Sequence, residues 1–245
     1  SAKVPRDVLP FDDDYSAALN VIQDLTVGVV QAPGDAGKFD SAHGFLDLMA
    51  QVLARSGSRG ADASALTVLP PLPPDASAET LAEADVVVID SGVAPTPALG
   101  DRIRAYVERG GTVILAPDNR IAPARWNDVF GSRDLLPATL GRGVSKKLEV
   151  SQDYQRLARS GFVAEALRSF ESGEAGDIST TRFYAWVELL DPVPGSDVLA
   201  TFSDGNPFAV RRRFGVGSVT LLSAGLSCFN NSLLARETAV AFTLR

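Results

Sequence analysis

The chain has 245 residues, 45% of them apolar and 22% charged, as expected of one or two folded globular domains, and its 21 Gly and 15 Pro are too scattered for a fibrous or low-complexity protein. A formal charge of -7, from 23 basic and 30 acidic residues, removes the general phosphate-backbone footprint and argues against nucleic acid as a partner. One Cys and one His leave no intrachain disulfide, and they exclude zinc sites of clustered imidazole and thiolate as well as most Ser/His or Cys/His nucleophilic sites.

No apolar run approaches the ~20 residues of a spanning helix, and residues 1–25 lack the basic start and apolar stretch of a signal peptide. The chain opens on Ser1-Ala2 without Met and stops at Arg245 in a stretch with a helical pattern, as a segment of something longer would. Residues 1–25, with the acidic turn Asp12-Asp13-Asp14, read as a lead-in of extended pieces, and residues 26–245 as a single domain. Thr26 to Val30 is a β-branched run ending at Ala32-Pro33-Gly34-Asp35, the pattern of a buried strand entering a loop. From the N-cap candidates Asp40 and Ser41, a stripe of Phe45, Leu48, Met49, Val52 and Leu53 predicts an amphipathic helix up to Gly57.

Leu66 to Leu69 is a second strand, closed by Pro70-Pro71-Leu72-Pro73-Pro74. Val86-Val87-Val88-Ile89 predicts a strand buried on both faces, as in a parallel sheet covered by helices. Thr96-Pro97 is an N-cap with a proline in the first turn; Leu99, Ile103, Tyr106 and Val107 form one stripe, and Gly110 is the stop. Thr112 to Ala116 is the next strand, ending at Asp118 and Asn119. This alternation predicts an α/β fold: an open, mostly parallel sheet with helices on both faces. Beyond Arg120 the pattern loosens, with a short helix at 126–130, a strand at 146–150 and a helix at 162–170. Strand grammar returns at 197–202, 208–214 and 218–222, around the turns Asp204-Gly205-Asn206-Pro207 and Gly215-Val216-Gly217, predicting an added C-terminal β-hairpin before a closing helix at 232–244.

Several motifs fail as chemistry. In Ala32 to Phe39 the pair Gly37-Lys38 imitates a phosphate loop, but Ala32 replaces its first glycine and Phe39 the hydroxyl that would hold magnesium. Gly225-Leu226-Ser227-Cys228-Phe229 imitates a nucleophile elbow, yet Phe229 replaces its second glycine and the single His43 lies far upstream. His43 reads as an exposed or capping imidazole, Asp12-Asp13-Asp14 as a solvated turn rather than a cation site, and Arg211-Arg212-Arg213 as a source of ion pairs or partner contacts. What is left is positional, because ligands of open α/β sheets lodge outside the carboxyl ends of the strands. Those ends offer Pro33-Gly34-Asp35, Asp90-Ser91-Gly92 and Asp118-Asn119-Arg120, a polar rim whose candidate ligand- or partner-binding residues are Asp90, Ser91, Asp118 and Asn119.

Asp7 to Tyr15 followed by Leu25 to Val30 resembles the join between a β-sandwich strand and a class I glutamine amidotransferase-like domain in bacterial aerotolerance-regulator (BatA-like) membrane proteins. Asp85 to Asp90, Leu99 to Gly111, Thr112 to Ala116, Phe202 to Phe208 and Arg213 to Ser223 are similar to that domain's central strand, helix, double-glycine turn, next strand and closing hairpin. The resemblance implies a flavodoxin-like fold whose nucleophilic Cys would stand near Pro117 to Arg120, where this chain has Asp118 and Asn119, with no downstream His as base. Neither residue can replace a thiolate that forms a thioester.

It therefore implies a fold without its chemistry: a non-catalytic interaction or scaffold domain, with no cofactor and no metal, on the extracytoplasmic face of a membrane protein. Its partner would be a protein of the cell envelope, and membrane contact would come only through parts outside this chain. The alternative is a small-ligand sensor using the same rim; a residual hydrolase with Ser227 or Cys228 is a third.

Overall fold

In the computed structural model the described residues are 24–35, 41–56, 65–146, 154–160, 162, 168, 170–171 and 177–226. The lead-in with its Asp triplet, Gly37-Lys38, the strand positions 147–150, most of the 162–170 helix, Ser227, Cys228 and the closing helix lie outside them.

Among the described residues the strands are β1 (Asp24–Val30), β2 (Ala65–Val68), β3 (Val86–Ile89), β4 (Thr112–Leu115), β5 (Thr139–Ser145), β6 (Ala185–Leu190), β7 (Asp197–Thr201), β8 (Pro207–Phe214) and β9 (Gly217–Leu222). The α-helices are α1 (Ala42–Ser56), α2 (Ala78–Leu81), α3 (Pro97–Glu108) and α4 (Pro123–Phe130). Seven strands form one sheet in the order β2-β1-β3-β4-β9-β8-β7. The pairs from β2 to β9 are parallel and those joining β9, β8 and β7 are antiparallel. The fold is thus an open α/β sheet, mostly parallel, carrying the expected C-terminal hairpin as its β8–β9 arm.

The apolar runs explain both layers. On one face Val87, Ile89, Val113, Leu115, Val219 and Leu221 pack with Leu99, Ile103, Tyr106 and Val107 of α3 and with Trp126, Val129 and Phe130 of α4. On the other, Val27, Val29 and Val88 pack with Phe45, Leu46 and Met49 of α1. Alternate residues of β3 enter opposite clusters, as a strand covered on both faces requires. The α1 stripe is rotated from its expected phase: Leu46 is buried while Leu48 is 38% exposed, because Ala42, Phe45, Leu46 and Met49 share the inner face at helical spacing. The Val52 and Leu53 side chains lie outside the description.

Capping follows the sequence closely. The Ser41 hydroxyl accepts from Gly44 N at 3.1 Å, and Thr96 Oγ1 from Leu99 N at 3.2 Å. Gly110, at φ +105°, closes α3. The helix α2, capped by Ser77, was not expected.

Of the strand expected at 146–150 only Lys146 lies within the described residues, just beyond the end of β5 at Ser145. β5 pairs antiparallel with β6 as a separate two-stranded sheet. It is pinned to the main body at two points. Asn127 of α4 exchanges two hydrogen bonds with Leu140, Nδ2 to its carbonyl at 2.7 Å and Oδ1 from its amide at 3.0 Å. Val187 N donates to the Ser223 carbonyl and Ser223 Oγ to the Val187 carbonyl, both at 2.7 Å. The arginine run forms ion pairs, Arg211 with Asp197 at 3.4 Å and Arg212 with Asp134 at 2.7 Å.

Candidate functional site

The carboxyl ends of the parallel strands meet at one edge, where β1 passes into Gln31, β3 into Asp90-Ser91-Gly92, β4 into Asp118-Asn119-Arg120, and β9 into Ser223 to Gly225. The connections that leave β1 and β3 run in opposite directions, toward β2 and β4, so Gln31 and Asp90 flank the point where the winding reverses.

Hydrogen bonds tie these ends together. Asp90 Oδ1 accepts from Ser91 N at 2.7 Å and from Ser91 Oγ at 3.2 Å. Asp118 accepts from Arg120 twice, Oδ1 from the backbone N–H at 2.7 Å and Oδ2 from Nε at 2.9 Å. The same guanidinium donates through Nη1 to Asp35 Oδ2 at 3.2 Å and through Nη2 to Ser91 Oγ. Arg120 therefore clamps the loops that follow β1, β3 and β4. Two glycines allow this closeness: a Cβ on Gly92 would stand 2.6 Å from Asp35 Oδ2, and one on Gly225 would stand 2.8 Å from Ser91 Oγ.

Three of the four candidate residues lie beneath the surface of this edge. Asp90, Ser91 and Asp118 are buried, at 1%, 0% and 0% exposure, because the Arg120 clamp and the close-packed glycines draw the loops over them. Asn119 is exposed and stands apart, against β5, where a Cβ on Gly143 would come within 3.2 Å of its own Cβ. Gln31 belongs to the site although only its neighbours were singled out; the one signal was an amide directly after a β-branched run. It is 2% exposed, and neither its Oε1 nor its Nε2 has a hydrogen-bond partner. Asp90 Oδ2 is likewise buried and unpartnered. His43 is half-buried, neither exposed nor a cap, and its Nε2 lies 2.9 Å from the Leu69 carbonyl as donor.

Burial pushes the Asp90 carboxyl above the ordinary carboxylate range, and the Ser91 hydrogen bonds and the Arg120 charge offset this only in part. Burial works against the Arg120 charge, but Asp118, Asp90 and Asp35 outweigh it and hold the guanidinium protonated. The unfolded chain releases the Asp90 proton near about pH 4, whereas the folded chain keeps it to higher pH. Asp90 thus makes stability fall as pH rises from about 4 through the folded value, and level off above it. Asp90→Asn is expected to remove that part of the slope, as read from urea midpoints of both proteins at several pH values between about 4 and 8. Parallel pH profiles for the two would contradict it.

Among the described residues no group of His, Cys, Asp and Glu converges as a metal-ligand set, and no helix is long and apolar enough to cross a membrane.

Fold and edge together define an open α/β domain with the 2-1-3-4-5 strand order of flavodoxin-like proteins, extended by two antiparallel strands. The chain belongs to the DUF4350 family, a domain of unknown function, which matches residues 43–245. No curated protein matches the sequence. Among solved structures, Cytoplasmic Protein STM1381 from Salmonella typhimurium LT2 is similar at 16% identity and TM-score 0.60, over 90% of this chain and 96% of its own. Cytoplasmic Protein STM3548 from Salmonella typhimurium is similar at 12% identity and TM-score 0.57, with the same coverage of 90% and 96%. The exo-beta-1,4-mannosidase Op5Man5 from Opitutaceae bacterium strain TAV5 is similar at 17% identity and TM-score 0.50, over 87% of this chain and 32% of its own. This chain thus spans about a third of the mannosidase's length. At these identities the likeness is one of fold.

Proposed function

We propose that this domain is a non-catalytic interaction or scaffold domain of a bacterial cell-envelope protein, an amidotransferase-like fold that has lost its chemistry, placed on the extracytoplasmic face of a membrane and acting on a protein partner. The observation that carries the reading is the state of the turn after β4. Where the resembled enzymes hold a nucleophile, Asp118 is fully buried with its oxygens engaged by Arg120. A carboxylate so held presents no attacking atom. The single imidazole is spent on the Leu69 carbonyl, away from the strand ends that hold Asp118. The test is retention of a specific protein from envelope fractions by the immobilised domain, and its loss when the exposed edge is altered. Asn119→Arg is expected to weaken the captured complex roughly tenfold, equivalent to about 1.4 kcal/mol. No specific capture, or capture indifferent to position 119, would defeat the reading.

A second reading, a small-ligand sensor at the same edge through Asp90, Ser91, Asp118 and Asn119, is favoured by one observation. Gln31 and Asp90 directly follow the paired residues Val30 and Ile89 at the winding reversal, and both carry buried polar atoms without partners, which call for a ligand or water. Stabilisation in a thermal-shift screen of polar metabolites, absent from Asp90→Asn, separates it from the first reading.

A further inference from the structure

Away from the strand ends, a cavity of about 470 Å³ opens between the β5–β6 hairpin and the turn joining β7 to β8. Its size falls within the roughly 300–1,000 Å³ of small-molecule sites. We infer that this cavity is a binding site for a neutral, polyhydroxylated ligand, a saccharide. The inference stands on the lining chemistry and is independent of the interaction reading.

One wall is apolar. Trp186 is half-buried with its indole tilted against Phe202 at 6.3 Å, and beside it on the paired strand is the half-buried Val144; farther along β6, beyond Glu188, Leu190 is 44% exposed. An indole face and an aliphatic neighbour suit the C–H face of a pyranose ring. The remaining lining carries planar groups that donate and accept in pairs. Glu188 accepts from Arg142 Nη2 at 3.1 Å and from the Arg142 amide at 3.3 Å. Asp204 accepts from Gln155 Nε2 and from Asn206 Nδ2, the latter at 2.9 Å. These mutual bonds hold the side chains in place while leaving second lone pairs on the carboxylates, the fork that adjacent hydroxyls use.

Charge decides between ligand classes. Two cations, Arg142 and Lys146, face two anions, Glu188 and Asp204, so the lining sums to zero. Arg142 already meets Glu188, so a phosphate would have to displace an existing partner, and an organic cation would meet the same obstacle in reverse. Hydroxyl groups need no net charge and can join bonds already made.

The chain's two Trp make the test direct, since Trp126 is wholly buried and Trp186 lines the cavity. In a Trp126→Phe background, emission from Trp186 is followed while cellobiose, maltose, mannobiose and diacetylchitobiose are titrated, with calorimetry in parallel on the unaltered chain. At least one disaccharide is expected to give a saturable change with a Kd below about 1 mM. Calorimetric binding is expected to be lost in Trp186→Ala and weakened at least roughly tenfold in Asn206→Ala, whose exposed turn position spares the core. Overturning results are no saturable response to any of the four sugars, calorimetric binding that survives both substitutions, or a response to inorganic phosphate or a short peptide in place of the sugars.

Discussion

Trp126→Ala is expected to lower the stability of the domain by about 3–5 kcal/mol, the cost of emptying a large aromatic site in a close-packed core. Trp126 has no exposed surface, packs with its ring tilted against Phe130 at a centroid distance of 5.5 Å, and joins α4 to the layer that also holds α3. Trp126→Phe provides the sharper comparison. The indole Nε1 is buried without a hydrogen-bond partner, so replacing indole by benzyl removes volume but also an unsatisfied donor. The two effects oppose one another, and the loss should stay within about 1 kcal/mol. Urea midpoints of the three proteins at constant m-value check both; a phenylalanine variant as weak as the alanine would mean that Nε1 has a partner in solution.

Arg120→Ala is expected to cost about 2–4 kcal/mol, less than the full penalty for orphaning a buried charge because the guanidinium is itself 35% exposed. The substitution removes the Nε bond to Asp118, the Nη1 bond to Asp35 and the bond to Ser91. The Arg120→Ala, Asp118→Asn double variant should recover a large part of the loss, because a neutral amide at 118 no longer needs a counter-charge. Additive losses in the double-variant cycle would show that the two side chains do not act as a unit.

The parts of this fold that were legible in the sequence are those whose signals are local. The run Val86 to Ile89 needs no partner to be read as a strand buried on two faces, and Thr96, Pro97 and Gly110 bracket α3 within its own residues. The β5–β6 hairpin has no such signature. Thr139–Ser145 carries two glycines and an irregularity in register between Leu140 and Gly143, and its partner begins some 40 residues later, so pairing and not propensity makes it a strand. The site divides in the same way. Asp90 stood out as an acid directly after a β-branched run and Asp118 as one three residues after another, which places both at strand ends. Their burial depended on Arg120 reaching Asp35, 85 residues away, a contact that spacing along the chain does not encode. Gln31 was overlooked because an amide after a strand is ordinary until its surroundings are seen to be closed.

The position of β9 bears on how the domain comes into being. Gly217–Leu222 does not lie at an edge but between β4 and β8, and Thr112 pairs with Ser218, 106 positions further along. A ribosome releasing this chain from its N-terminus completes β1 to β4 long before β9 emerges. Throughout that interval the open side of β4 offers Val113 and Leu115 and a row of unpaired backbone groups to any passing strand. Pairing across so long a separation slows folding, and the late strand β9 is expected to limit its rate. Truncation between β8 and β9 would leave β7–β8 parted from the first four strands, and a fragment comprising only those four is expected to aggregate instead of forming a smaller version of the domain.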